Sequence, residues 1–182
     1  QYPMLGMGMD LPLLDWLNTY TFNTESAFKD KDFARETYRA LAHEMIANGT
    51  TRVCAFSSLH REATLILMDE FEKAGLTGFV GKVNMDRNSG DVLTETTEES
   101  MRETLAWLDE AHFDHIKPVL TPRFTPTCTN ELMSFLGKLA AERDFPSSAG
   151  SMTMSAAVTY IANQLGITVD SRSAIAPYNI DS

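Results

Sequence analysis

Three short apolar, β-prone runs punctuate this chain: RVCAF (52–56), GFVGKV (78–83) and IKPVLTPRF (116–124). Each is followed by a stretch in which apolar residues recur at helical spacing. Strands alternating with helices of roughly ten to fifteen residues predict βα units around a parallel sheet, the α/β class. Parallel neighbours need a crossover, and crossovers are right-handed, so every strand-to-helix loop should leave the same edge of the sheet. In such folds that edge binds ligands. The loops concerned begin at Phe56, Val83 and Thr121.

The helices carry their own punctuation. QYPMLGMGMDLPLLDWL starts as a Met/Gly loop and runs into an apolar helix opening. A first long helix is predicted from Phe33, with Ala34, Thr37, Tyr38, Leu41, Ala42, Met45 and Ile46 on its buried face. Asn48-Gly49 is its left-handed stop. Ser57-Ser58 offers a cap for the next helix, whose inner side carries Ala63, Thr64, Leu67, Met68 and Phe71, and Gly75 ends it. Thr96-Thr97-Glu98-Glu99 has capping-box spacing and opens a third helix with Met101, Leu105, Leu108 and His112 inward. Thr129 can cap a fourth, bearing Leu132, Phe135, Leu136, Leu139 and Ala140. Pro118 removes a ladder donor, which predicts a strand start or irregular pairing. After Pro146 the pattern changes: SSAGS (147–151) reads as a linker, Met154, Val158, Ile161 and Leu165 form one helical face closed by Gly166, and ITV is a strand candidate. The expected division is 1–146 and 147–182.

With 182 residues, 43% of them hydrophobic, the chain can build one core. A net charge of −10 surrounds it with a negative field that repels nucleic acid and anionic bilayers, and no basic patch offsets it. Apolar runs fall short of the roughly 18 residues of a membrane span, and no charged segment leads into an apolar one as in a secretory signal. No nucleic-acid partner, no membrane and a cytoplasmic setting are expected. Cys54 and Cys128 lack Cys-x-x-Cys spacing; they read as reduced and buried, with a disulfide as the alternative.

Among titratable groups, His43, His60, His112 and His115 form neither His-x-His nor His-Glu-x-x-His. His43, His112 and His115 read as solvated or locally hydrogen-bonded. His60 follows a strand C-terminus, so it either faces the ligand edge or is structural. In NMDRN (84–88), Asp86 and Arg87 orient one another or a ligand, or form a surface ion pair. TPRF (121–124) sets the Arg123 guanidinium beside the Phe124 ring. That pairing suits a planar heterocycle with carbonyl or ring-nitrogen acceptors, and it equally suits an Arg capping carbonyls next to a core Phe.

The ordered blocks QYPMLGMGMDLPLLDWLNTYTF, NGTTR, HREAT, GFVGKVNMDRN, TEESMRET and KPVLTPRFTPTCTNELMSFLGKLA resemble the guanine deaminases of the metal-dependent amidohydrolase superfamily, from Gln1 to about Pro146. The resemblance implies part of a distorted (β/α)₈ barrel of the TIM type, with a divergent tail. It implies zinc-dependent hydrolysis of guanine to xanthine and ammonia in purine catabolism. Gln1 resembles the family's guanine-binding glutamine, and Arg123 with Phe124 its purine-contacting Arg-Phe pair. In the family a His-x-His zinc motif lies just before the position of Gln1, so this chain is expected to be a piece that begins after it. Where the family bears a further zinc-binding His and a proton-shuttling Glu, this chain reads DFPSSAGSMTMSAAV. Asn23 stands where the family usually has Pro. The zinc ligands and catalytic residues are therefore expected outside this chain, which alone should be inactive. Guanine or a related purine is the expected ligand, and open strand edges predict a homo-oligomer. The alternative is a non-catalytic amidohydrolase fragment serving as an interaction or assembly module.

Overall fold

The computed structural model describes residues 2–88, 93–123 and 125–143. A short 3₁₀ turn, Tyr2–Met4, precedes a continuous helical segment made of α1 (Leu13–Trp16), a π-helical turn (Leu17–Thr21) and α2 (Phe22–Ala27). Then follow α3 (Lys31–Ala47), β1 (Arg52–Phe56), α4 (Arg61–Lys73), β2 (Thr77–Gly81), β3 (Val83–Asn84), α5 (Thr97–Glu110), β4 (Ile116–Pro118), β5 (Thr121–Pro122) and α6 (Asn130–Arg143). The expected linker at 147–151, the helix through Met154 to Leu165 and the ITV strand lie outside the described residues.

Among the described residues all strand pairs are parallel, in a three-stranded sheet ordered β1-β2-β4 and a second ladder joining β3 to β5. The α/β expectation holds, but two predicted strands are each broken in two. The run 78–83 is interrupted at Lys82, and 116–124 breaks after Pro118. Pro118 has no N–H to donate. Val119 N donates to Val80 O (3.0 Å), and across the break the Thr121 hydroxyl, rather than a backbone N–H, donates to Lys82 O (2.5 Å). The strands then resume as the shorter ladder.

The helices cover one face of the sheet. Phe71, Trp107, Leu67, Met68, Ile116, Leu120 and Leu132 are each no more than 2% exposed in the layer between them. Along β1 burial alternates, which turns Cys54 and Phe56 to the opposite face. Cys54 is therefore exposed, contrary to its expected burial, whereas Cys128 is buried; both are free thiols. In α3, Ala34, Thr37, Tyr38 and Ala42 are buried, but Ile46, next to the last residue of the helix, is 41% exposed. The buried face of α5 is Ser100, Thr104, Trp107 and Leu108; of the predicted set Leu108 is on it, while Met101 and Leu105 pack against the core partly buried. His112 lies beyond the end of that helix and is exposed, because the chain leaves helical geometry at Ala111.

Local punctuation follows chemistry at each end. Gly49 and Gly75 have φ of +80° and +77°, the left-handed stops that close α3 and α4. Thr96 and Glu99 form both bonds of the capping box, and Thr129 Oγ1 accepts from Leu132 N (3.2 Å). The predicted Ser57-Ser58 cap is corrected: His60 occupies the N-cap position, and Ser58 Oγ instead accepts from His60 N (3.2 Å). The chain needs two more residues to turn from strand into helix. Among the described residues no helix is long and apolar enough to cross a membrane.

Two carboxylates join helices to their surroundings. Glu70, 5% exposed, receives Arg35 (3.0 Å) and Arg39 (3.2 Å) from α3. Glu72, near the end of α4, accepts from the backbone N–H groups of His115 (3.0 Å) and Ile116 (2.9 Å) and contacts His115 Nδ1 at 2.7 Å. Burial pushes the Glu72 carboxyl up, but these hydrogen bonds outweigh it and hold it below its ordinary value.

Gly81 is a close approach. A Cβ there would lie 2.5 Å from Val119 O and overlap the Thr121 side chain. Gly81→Ala is expected to cost about 1–3 kcal/mol, read as a lowered urea midpoint of the whole chain. Glu72 has its folded pKa below the unfolded one, so its stabilisation is full above the unfolded value and lost as pH falls through the folded value. Glu72→Gln should therefore lower stability at neutral pH, and the gap from wild type should close in acid.

Candidate functional site

Arg123 follows β5 directly, and its N–H donates to Asn84 O (3.1 Å) at the end of β3, which places its side chain at the C-terminal edge of the strands. The guanidinium makes a two-point fork with Glu25 of α2: Nη1 to Oε2 at 2.5 Å and Nη2 to Oε1 at 3.1 Å. Nη1 also meets Met85 Sδ at 3.5 Å, and the Cζ atom sits 5.6 Å from the centroid of the Phe22 ring. Arg123 and Glu25 are only 14% and 13% exposed.

Both groups line a cavity of about 470 Å³ together with Tyr2, Tyr38, Phe56 and Ser57. Burial pushes the Tyr38 hydroxyl up to about 12, so it stays neutral, 3.2 Å from Ser57 Oγ. Of the three residues expected to recognise a ligand, Arg123 is on this cavity, while Gln1 and Phe124 lie outside the described residues.

The Asn84 carbonyl that receives the Arg123 N–H belongs to a network of polar groups. Asn84 is wholly buried, and its Nδ2 donates to Ser100 Oγ (2.9 Å) and Thr104 Oγ1 (2.8 Å) of α5. Its carbonyl accepts from Cys128 Sγ (3.3 Å) as well as from Arg123. Asp86 is structural: it accepts from Thr129 N (2.7 Å), Thr129 Oγ1 (2.5 Å) and Thr97 Oγ1 (2.8 Å), tying α5 to the start of α6. The Arg87 backbone N–H donates to Thr127 O (3.3 Å). Lys82, fully buried, reaches both Glu95 oxygens at 3.0 and 2.9 Å and Val83 O at 3.3 Å. Burial lowers the Lys82 pKa and raises that of Glu95, against their mutual attraction.

The histidines do not converge. His43 and His112 are exposed, and His115 is exposed beside Glu72. His60 lines a different cavity, of about 480 Å³, with Lys29, Glu95 and Glu103, so the structure keeps it off the Arg123 site. Burial first, then the charges of Lys82 and Lys29, lower its pKa, and its Nε2 is buried without a partner. Among the described residues no three His, Cys, Asp or Glu side chains come together as a metal ion requires. Two groups escaped sequence reasoning. Glu25 carried no signal, sitting 98 residues from Arg123. Lys82 had a weak one, as a lone cation inside an apolar run.

The sequence pattern of the amidohydrolase family matches residues 1–172, continuing past Pro146. Guanine deaminase of Rattus norvegicus is 45% identical over 148 residues, which are 79% of this chain and 33% of that protein. The crystal structure of guanine deaminase from C. acetobutylicum, with guanine bound in the active site, is similar at a TM-score of 0.78 and 44% identity, over 81% of this chain and 36% of that one. E. coli guanine deaminase is similar at a TM-score of 0.71 and 30% identity, over 81% and 34%. The chain thus spans about a third of the length of the relatives it matches.

Removing one member of the buried pair exposes its cost. Glu95→Ala leaves Lys82 unpaired and should lose about 3–5 kcal/mol in denaturant unfolding. The double variant Lys82→Met with Glu95→Leu should recover most of that loss.

Proposed function

The chain belongs to the amidohydrolase family, and from that premise we propose that it is part of a guanine deaminase, which hydrolyses guanine to xanthine and ammonia in purine catabolism. The observation that carries this reading is the Arg123 fork on a cavity at the C-terminal edge of parallel strands, within blocks similar to guanine deaminases. The cavity is large enough to admit a purine. Arg123 donates to purine acceptors, Phe124 packs against the ring, and Gln1 offers an amide that both donates and accepts. Tyr38, held neutral, keeps a fixed dipole beside Ser57 in the wall.

Zinc in this family supplies the activated water. The described residues do not fit that ion, since no set of ligands converges among them. We assign this chain substrate recognition, and the hydrolytic chemistry to residues outside those described. The exposed Leu5, Met7 and Met9 and the uncovered sheet face at Cys54 and Phe56 support a homo-oligomer. The two free thiols support a cytoplasmic setting. The alternative, an amidohydrolase fragment serving as an assembly module, differs in neither binding guanine nor contributing to its turnover.

In the complete enzyme, Arg123→Ala should reduce kcat/KM for guanine by about 10- to 100-fold, the loss of a charge-assisted hydrogen bond of about 1.5–3 kcal/mol. Xanthine release is the measurement, and unchanged kcat/KM would remove Arg123 from the site. The 182-residue chain alone with added zinc should release no xanthine; turnover on the order of 1 per second would overturn the division of labour.

A further inference from the structure

We propose that Glu25 is the positioning residue that aims Arg123 at the purine, an inference that rests on the proposed function. A guanidinium carries five N–H donors in one plane on a long, rotatable stem, and each acceptor it meets restricts which way that plane turns. Glu25 takes the end-on edge, one hydrogen from each Nη nitrogen. The second Nη1 hydrogen is directed at Met85 Sδ. The Nε–H and the second Nη2–H are left without an acceptor among the described residues. They form the side-on edge, two parallel donors in the plane that the fork has set.

Three contacts define that plane, two from α2 and one from the loop after β3. Glu25 fixes rotation, the Phe22 ring lies under the cation and Met85 closes one side. Glu25 also offsets the charge of Arg123 in a place where both are mostly buried. The remaining edge then acts as a neutralised two-donor plate rather than a loose cation. Two adjacent acceptors in one plane fit it, and guanine carries such a pair in O6 and N7, which a guanidinium fork matches. The same fork costs the purine nothing in competition, because Glu25 and the ligand use different edges.

The test uses the 182-residue chain labelled with ¹⁵N at arginine. In the wild type, pairing should slow rotation of the Arg123 Nη groups, giving resolved Nη proton signals that merge in Glu25→Ala. Guanine titration follows on the same samples. Glu25→Ala should weaken guanine binding about 10-fold, as a directed charge-assisted contact loses its aim. Glu25→Gln, which keeps one acceptor and the shape, should recover part of both the signal and the affinity. 7-Deazaguanine, which lacks the N7 acceptor, should bind wild type and Glu25→Ala with nearly equal affinity. If Arg123→Ala weakens guanine binding while Glu25→Ala does not, or if the Nη signals ignore Glu25, the positioning role is wrong. If wild type and Arg123→Ala are alike toward guanine while the Nη signals still depend on Glu25, the purine reading fails, and the aim of the pair at a purine fails with it.

Discussion

Parallel pairing of β1, β2 and β4 constrains everything else in this chain. It needs a helix after each strand, which puts α4, α5 and α6 on one face and every strand-to-helix loop at one edge. The pairing is also tight. Gly81 passes within reach of Val119 and Thr121, and the ladder can continue beyond it only by exchanging a backbone donor for the Thr121 hydroxyl. That exchange shortens the strands but carries β3 and β5 on to the loop edge, and Arg123 emerges from the second of them.

The edge is stiffened by polar groups that the sheet itself does not supply. Asn84 binds two hydroxyls of α5, Asp86 binds the starts of both α5 and α6, and Lys82 is held by Glu95. Each is buried or partly buried and spends hydrogen bonds on neighbouring elements rather than on water, which is the condition for a polar group to hold geometry in an interior. Arg123 joins this network through its own backbone N–H. Its side chain is seated by Glu25, Phe22 and Met85, contributed by the helical segment before α3 and by the loop after β3. A long, rotatable side chain thereby becomes a fixed set of donors on the cavity wall. The same packing keeps His60 on the neighbouring cavity, where burial and two lysines favour its neutral form.

Sequence alone determined what local chemistry decides. The capping box of Thr96 and Glu99, the cap at Thr129 and the left-handed glycines 49 and 75 are settled by residues within a few positions of one another. The βα alternation was legible because hydrophobic periodicity is local too, and the blocks around TPRF were specific enough to carry a resemblance. Tertiary structure decided the rest. The break at Lys82 depends on a buried partner in Glu95 and a hydroxyl from another strand. The inner face of α5 turns on Asn84 needing Ser100 and Thr104. Cys54 is exposed because of which side of β1 the helices cover. The Arg123–Glu25 fork joins residues 98 positions apart. No periodicity or motif encodes such a contact, because the energy of a fork comes from two groups meeting in one plane, and only the folded sheet and its helices bring those planes together.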